Sequence, residues 1–217
     1  MNQIDNLNGE MLARACAFAA KPKDARFYLR SVFVERREEG GVYIVATNGH
    51  VLCCYTDEEA VPHEDFKSVI LDIYQENSSR VLPFFTELKK SKGKRMRMIN
   101  QSYMGAVAIT DEGDVNSRIV DVIEGNYPEW QKIFKYWALE GADDQLNLEN
   151  ESVVFDPKYL AMLKDLVLKG SNDLVSFVAG SSEKVGVFQT SNAIVGIMPC
   201  RASAPDTHEF LEVSDDE

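Results

Sequence analysis

Histidine and cysteine are scarce in this chain of 217 residues. His50, His63 and His208 are scattered, and Cys16, Cys53, Cys54 and Cys200 fall into no C-x-x-C or H-x-x-x-H spacing. A zinc site needs such ligands at short regular intervals, so neither a structural metal nor any other cofactor is expected. The cysteines form no paired framework, which points to a reduced, cytoplasmic setting. Long apolar runs are missing too. Nothing approaches the ~18 residues of a membrane span, and Met1-Asn2-Gln3-Ile4-Asp5 lacks the basic and then apolar regions of a signal peptide, so no membrane partner is expected. Positive charge is in short supply, with 23 basic against 35 acidic side chains and a net charge of −12. A chain this negative repels nucleic acid unless its basic groups are gathered on one surface. Six acids (Asp206, Glu209, Glu212, Asp215, Asp216, Glu217) and no Lys or Arg lie between Ser203 and Glu217, so residues 203–217 are expected to be a flexible acidic tail.

What is present is an ordinary globular composition, 45% hydrophobic and 27% charged, long enough for one large domain or two smaller ones. Met11, Leu12, Ala15, Cys16, Phe18 and Ala19 recur at helical spacing from Glu10 to Ala20, with Asn8 as a possible N-cap. Arg26 to Glu35 alternates aromatic and β-branched residues, and a Glu-Glu-Gly-Gly turn leads to Val42-Tyr43-Ile44-Val45-Ala46, which predicts an antiparallel hairpin. A further strand is expected over Phe66 to Tyr74 and a helix from Pro83 to Lys90. Strands are then expected at Arg95 to Ile99, Gly105 to Thr110 and Ser117 to Ile123.

The second half of that series recurs weakly. Val81-Leu82-Pro83 enters a helix followed by strands, and Phe155-Asp156-Pro157 likewise enters a helix expected to end at Lys169-Gly170. Strands follow over Asp173 to Ala179, Lys184 to Gln189 and Ala193 to Met198. The stretch from Gly125 to Asp144 becomes the connection between two units.

Each candidate motif has a plain structural reading. Ala46-Thr47-Asn48-Gly49-His50-Val51-Leu52 follows a strand and contains Asn-Gly, a favoured tight-turn dipeptide. A catalytic reading would pair His50 as base with Cys53 or Cys54 as thiol nucleophile. No third orienting group stands beside them, so the chain is not expected to be an enzyme. Gly125-Asn126-Tyr127-Pro128-Glu129-Trp130 has the rings and proline of an ordered connection, and Pro199 stops the last strand at Ile197-Met198-Pro199-Cys200-Arg201.

Taken in order, these segments are Phe27-Tyr28-Leu29, then Ala-Thr-x-Gly-His-x-Leu, then Asn-Tyr-Pro-x-x-x-x-Ile, then a closing Met-Pro-x-Arg. That series resembles the second and third domains of the bacterial sliding clamp, the β subunit of the replicative DNA polymerase, from about Met11 to Arg201. Family members carry Ala-Thr-Asp-Gly-His-Arg-Leu, Phe-Pro-Asp-Tyr and Met-Pro-Met-Arg-Leu; here Asn48, Val51, Tyr127, Cys200 and Ala202 stand where the pattern has Asp, Arg, Phe, Met and Leu. The resemblance implies an α+β fold of the processivity-clamp type, antiparallel sheets with helices on one face. It implies a complete domain over 1–126 and a shortened one over 127–202, since little room is left between Trp130 and Pro157.

It also implies a function in DNA replication. In the family these segments line a pocket where the polymerase, the clamp loader and repair proteins insert a short linear peptide. Carried over, the pocket comprises Leu29, Thr47, Gly49, His50, Val51, Leu52, Pro128, Lys132, Ile133, Met198, Pro199 and Arg201. Duplex DNA would be met without sequence specificity by the six basic residues between Lys89 and Arg97, chiefly Lys89, Lys90, Lys92, Lys94 and Arg95. The helices that line the family's channel add Arg14, Lys21, Lys23, Lys158 and Lys164. The alternative is a clamp derivative outside any ring, a decoy or regulator of clamp-binding proteins. The missing length leads us to expect a monomer or a small oligomer outside the two-subunit ring. Gln145-Leu146-Asn147-Leu148 resembles the family's peptide ligand but reads first as a strand.

Overall fold

The computed structural model of the chain describes residues 3–74, 81–90, 92–101, 105–111, 117–134, 153–180 and 184–201. The acidic residues 203–217 and the Gln145 to Leu148 segment lie outside these.

The chain begins with β1 (Gln3–Asn8), which its polar sequence does not suggest, and turns into α1 (Gly9–Ala15). Asn8 is the N-cap: its Oδ1 accepts from the backbone N–H groups of Glu10 (3.0 Å) and Met11 (3.1 Å). The helix is shorter than its periodicity suggests, because the last turn tightens to a 3-10 turn at Cys16–Phe18.

The run read as one strand from Arg26 to Glu35 divides in two. Phe27–Arg30 is a 3-10 turn, and only Ser31–Arg36 forms β2. Tertiary hydrogen bonds hold the turn: the Leu29 carbonyl accepts from Ala20 N–H at 2.7 Å, and Arg30 Nη1 donates to the Pro22 carbonyl at 2.7 Å. The expected hairpin follows as β2 with β3 (Val42–Thr47), Phe33 facing Val45 and Glu35 facing Tyr43. Gly41 at φ +78° closes it, in a space where a Cβ would strike the Asp57 carbonyl at 2.3 Å. Next come β4 (Val51–Asp57), the two-residue β5 (Val61–Pro62) and β6 (Ser68–Asp72). Then α2 (Val81–Leu88) leads to β7 (Arg95–Gln101), β8 (Ala106–Asp111) and β9 (Ser117–Asp121).

Asp156 caps α3 (Pro157–Leu160), its carboxylate accepting from Lys158 N–H at 2.9 Å. The helix expected to reach Lys169 instead narrows to a 3-10 stretch at Ala161–Asp165. Strands β10 (Ser176–Ala179), β11 (Gly186–Gln189) and β12 (Ala193–Ile197) complete the described fold.

The strands form two antiparallel sheets, ordered β5-β1-β7-β8-β9 and β10-β11-β12-β4-β3-β2-β6. Strand β12 pairs with β4, Ile197 opposite Val51 and Gly196 opposite Leu52, so one sheet runs through both halves of the chain. Alternation on β3 and β4 sends Ile44, Ala46, Val51, Cys53 and Tyr55 into the main core, which also takes side chains from α1, α2 and the smaller sheet. Val45, Leu52 and Cys54 point the other way, into a second cluster closed by Trp130. The connection thus packs on the outer face: Tyr127 stacks on Phe33 with centroids 4.7 Å apart, and Trp130 Nε1 donates to Glu35 at 3.1 Å.

Candidate functional site

The turn between β3 and β4 is held by its own side chains. Asn48 Oδ1 accepts from the N–H groups of His50 and Val51 at 2.9 Å each; Thr47 Oγ1 donates to the Val51 carbonyl at 2.8 Å and accepts from Gly49 N–H at 3.0 Å. Gly49 lies at φ +88°, and a Cβ there would meet Arg26 Nη1 at 2.7 Å. Arg26 is fixed against the turn by Asp24, through Nε (3.0 Å) and Nη2 (2.8 Å), and by the Asn48 carbonyl (3.3 Å). The same pair holds the Asp24 carboxyl well below the usual range, at about 2.

The end of β12 joins this turn. Met198 N–H donates to the His50 carbonyl at 2.9 Å, and Cys200 N–H donates to the Val154 carbonyl at 2.7 Å, which brings the start of α3 alongside. The His50 ring stacks on Tyr159, centroids 5.4 Å apart, and Lys158 Nζ lies 4.5 Å from the Tyr159 ring centre. Lys158 in turn pairs with Asp156 at 2.5 Å and, with a smaller contribution from His50, keeps that carboxyl below its ordinary range. From the connection, Ile133 Cγ2 comes within 3.5 Å of the position a Cβ would take on Gly196.

Four sequence-distant segments therefore border one surface: the 3-10 turn at Phe27–Arg30, the β3–β4 turn, the connection, and the end of β12 with α3. Met198 (50% exposed), Phe27 (48%) and Ile133 (38%) offer apolar surface there. His50, Pro128, Lys132 and Arg201 are exposed and Pro199 is half-buried, with Lys132 paired to Glu129. Leu29, Thr47, Val51 and Leu52 are buried and form the floor. Val51 and Leu52 face opposite cores, so neither side chain projects into the surface.

The thiol reading fails on burial. Cys53 and Cys54 are enclosed in the two cores, and desolvation pushes both thiols well above their ordinary pKa, which disfavours the thiolate a nucleophile needs.

The basic cluster divides. Arg95 is committed to Asp57 (2.8 Å) and Glu59 (2.5 Å), and Arg14 is buried with its guanidinium on Glu10 (2.8 Å), so both drop out of the candidate DNA surface. Lys158 lies instead beside Tyr159 and His50, on the surface that the four segments border. Lys89 pairs with Asp165 at 2.5 Å, Lys169 Nζ donates to the Lys90 carbonyl at 2.7 Å, and Lys92 lies against Gly170. Lys89, Lys90, Lys92 and Lys169 thus gather where the end of α2 meets the stretch after α3, and the exposed Lys164 directly precedes Asp165 in sequence. Lys94 is half-buried in the turn before β7, and Lys21 and Lys23 are exposed after α1.

This architecture matches solved structures at low sequence identity. A sliding clamp from Pseudomonas aeruginosa with a ligand superimposes with a TM-score of 0.62 over 92% of this chain, at 16% identity. The DNA polymerase III beta subunit from Thermotoga maritima gives 0.63 over 92% at 13% identity. The chain has the sliding-clamp fold. A Pseudomonas aeruginosa clamp bound to griselimycin matches with a TM-score of 0.63. The chain spans just under two thirds of these clamps, 66% of the first two. No family model matches the sequence, and no curated protein matches it significantly.

Within the clamp fold, four side chains of these two surfaces escaped sequence reasoning. Arg26 and Phe27 sit in the run that also gave Leu29, so their neighbourhood was marked although their roles were not. Tyr159 carried no signal, because only the fold brings it to His50. Lys169 was likewise hidden at the end of an expected helix.

Proposed function

We propose that this chain is a non-catalytic, cytoplasmic protein of DNA replication of the sliding-clamp type, which docks short linear peptides of its partners and meets duplex DNA without reading its sequence. The observation that carries the peptide reading is the hydrogen bond from Met198 N–H to the His50 carbonyl. It joins two motif segments about 150 residues apart in sequence, His50 and Met198, on a fold shared with clamps. The surface suits an apolar peptide with a polar flank: Met198 adapts to side-chain shape, Gly49 leaves room for a backbone, and His50, Arg26 and Arg201 offer polar groups at the rim. Arg26 supplies a guanidinium near the position where Val51 replaces the family's arginine.

Partners of this kind include a polymerase and a clamp loader carrying a linear clamp-binding motif. No helix among the described residues is long and apolar enough to cross a membrane. The test is calorimetry with a Gln-Leu-x-Leu-Phe peptide: micromolar-range binding that weakens when Met198 is truncated supports the reading. An absence of binding to the wild-type chain overturns it.

A further inference from the structure

The cationic surface described above carries more positive charge than its own acids balance. Glu10 is buried and occupied: its carboxylate accepts from Arg14 Nε (2.8 Å), Lys169 N–H (2.6 Å) and Gly93 N–H (3.3 Å). Asp165 is taken by Lys89. Among the described residues Glu87, exposed in the last turn of α2, is the one further acid there, against Lys90, Lys92, Lys164 and Lys169 facing solvent on a protein whose net charge is −12. The same sequence holds a complementary segment, residues 202–217, with six acids and no lysine or arginine.

Geometry places the root of that segment within reach. Arg201 follows Cys200, whose N–H is bonded to the Val154 carbonyl beside the start of α3. From there to Asp165 the path runs along four α-helical residues and five 3-10 residues, about 16 Å at 1.5 and 2.0 Å per residue. A chain of the length of residues 202–217 has a root-mean-square span of roughly 20–24 Å. Span and reach agree, the condition under which a tethered group is present at its highest effective concentration, on the order of 1 mM.

We propose that the acidic segment 202–217 is an intramolecular ligand of the lysine cluster formed by Lys89, Lys90, Lys92, Lys164 and Lys169, and competes there with the phosphates of nucleic acid. The competition rests on the DNA contact proposed above; the contact between segment and lysines does not. The acids present carboxylates at close spacing, as a nucleic-acid strand presents phosphates, and a lysine recognises either as a point charge. The occupied surface is the resting state. Polyanionic DNA displaces the segment, and a weakly charged surface does not. With a tethered contact of roughly 0.1 mM affinity against ~1 mM effective concentration, apparent DNA affinity is reduced on the order of tenfold at low salt.

The first arm of the test reads the contact directly in the full-length chain. Carbodiimide activation joins a carboxylate to a neighbouring amine, and peptide mass spectrometry locates the bond. Cross-links within one chain from Asp206 to Glu217 onto Lys90, Lys92, Lys164 or Lys169 are expected at low salt, fading as salt is raised. Bonds to none of these lysines, or only between chains, overturn the proposal whatever DNA does.

The second arm measures fluorescence anisotropy with a labelled duplex. Replacing the six acids by Asn or Gln in the full-length chain is expected to tighten binding about tenfold at low salt. The gain should vanish when Lys90→Glu and Lys169→Glu are also present. Neutralising six acids elsewhere (Glu38, Glu39, Glu58, Glu64, Asp121, Glu124) should give less. Equal gains from both sets reflect net charge alone and overturn the competition. If no variant binds DNA while the cross-links form, the DNA reading fails and the contact stands.

Discussion

Met198 and Leu52 lie at the same junction of β12 with β4, yet their removal is expected to do different things. Met198 is half exposed and rests on no core, so Met198→Ala should leave the melting temperature almost unchanged. It should weaken a docked peptide by about 1–3 kcal/mol, read by calorimetry. Leu52 is 3% exposed beneath Trp130, so Leu52→Ala opens a cavity in the outer cluster. Destabilisation of about 2–5 kcal/mol is expected from denaturant titration. A large loss of affinity without loss of stability in Leu52→Ala would contradict this assignment of floor and rim. The alternation that decides the matter was legible in Val42 to Leu52, but which face would be covered was not, because the cover comes from Trp130. Arg26 gives a pH prediction of the same scale. Its bonds to Asp24 lower that carboxyl from 3.8 to about 2, so the pair stays charged above the ordinary carboxylate range and is lost only as pH falls through about 2. A carboxyl-resolved NMR titration should return Asp24 to near its ordinary value in Arg26→Ala; an unchanged midpoint would remove Arg26 from its place beside Gly49.

Among the elements, those that announce themselves by capping or alternation are where the sequence puts them, and those that depend on neighbours are not. Asn8 and Asp156 both cap helices as their positions before Gly9-Glu10 and Pro157 suggest. Each alanine substitution is expected to cost about 1 kcal/mol in thermal or chemical unfolding. Asp156→Ala should in addition loosen the Tyr159 ring from His50 and weaken peptide binding, whereas Asn8→Ala should not. Strand β1 went unseen because Gln3-Ile4-Asp5-Asn6-Leu7-Asn8 has poor strand propensity. It is a strand because β5 and β7 flank it, with Asn6 at φ +58° inside an irregular register between Ile4 and Leu7. The 3-10 turn at Phe27–Arg30 was misread for the converse reason: its residues are good strand formers, and only bonds to Ala20 and Pro22 bend them. The same holds for the stretch after α3, whose periodicity suggests a longer helix than tertiary contacts allow. The candidate surface was therefore legible as a set of segments but not as a geometry.

Over the whole molecule, the sequence suggests two units with a boundary near residue 126, while hydrogen bonds cross that boundary in many places, most densely at a shared sheet and at a buried polar node. Strand β12 pairs with β4 along five residues, from Ala193 opposite Tyr55 to Ile197 opposite Val51. On the inner side, Tyr55 Oη donates to the Asp165 carbonyl at 2.8 Å, Arg14 Nη1 reaches the same carbonyl at 3.3 Å, and Glu10 accepts from Lys169 N–H. A buried carboxylate with one guanidinium and two backbone partners is costly to disrupt from either side. Glu10→Ala leaves Arg14 enclosed without its counter-charge and is expected to cost about 3–5 kcal/mol. Because the sheet and this polar node join the halves independently, the units should unfold together. In native-state hydrogen exchange, the slowest amides of β11 and β12 should open with the same free energy as those of β3, and Glu10→Ala should lower both sets equally. If β11 and β12 exchange at a distinctly lower free energy and Glu10→Ala lowers only theirs, the second unit is an appendage that docks on a self-sufficient first one. The surface shared by Met198 and His50 would then be lost whenever that appendage opened.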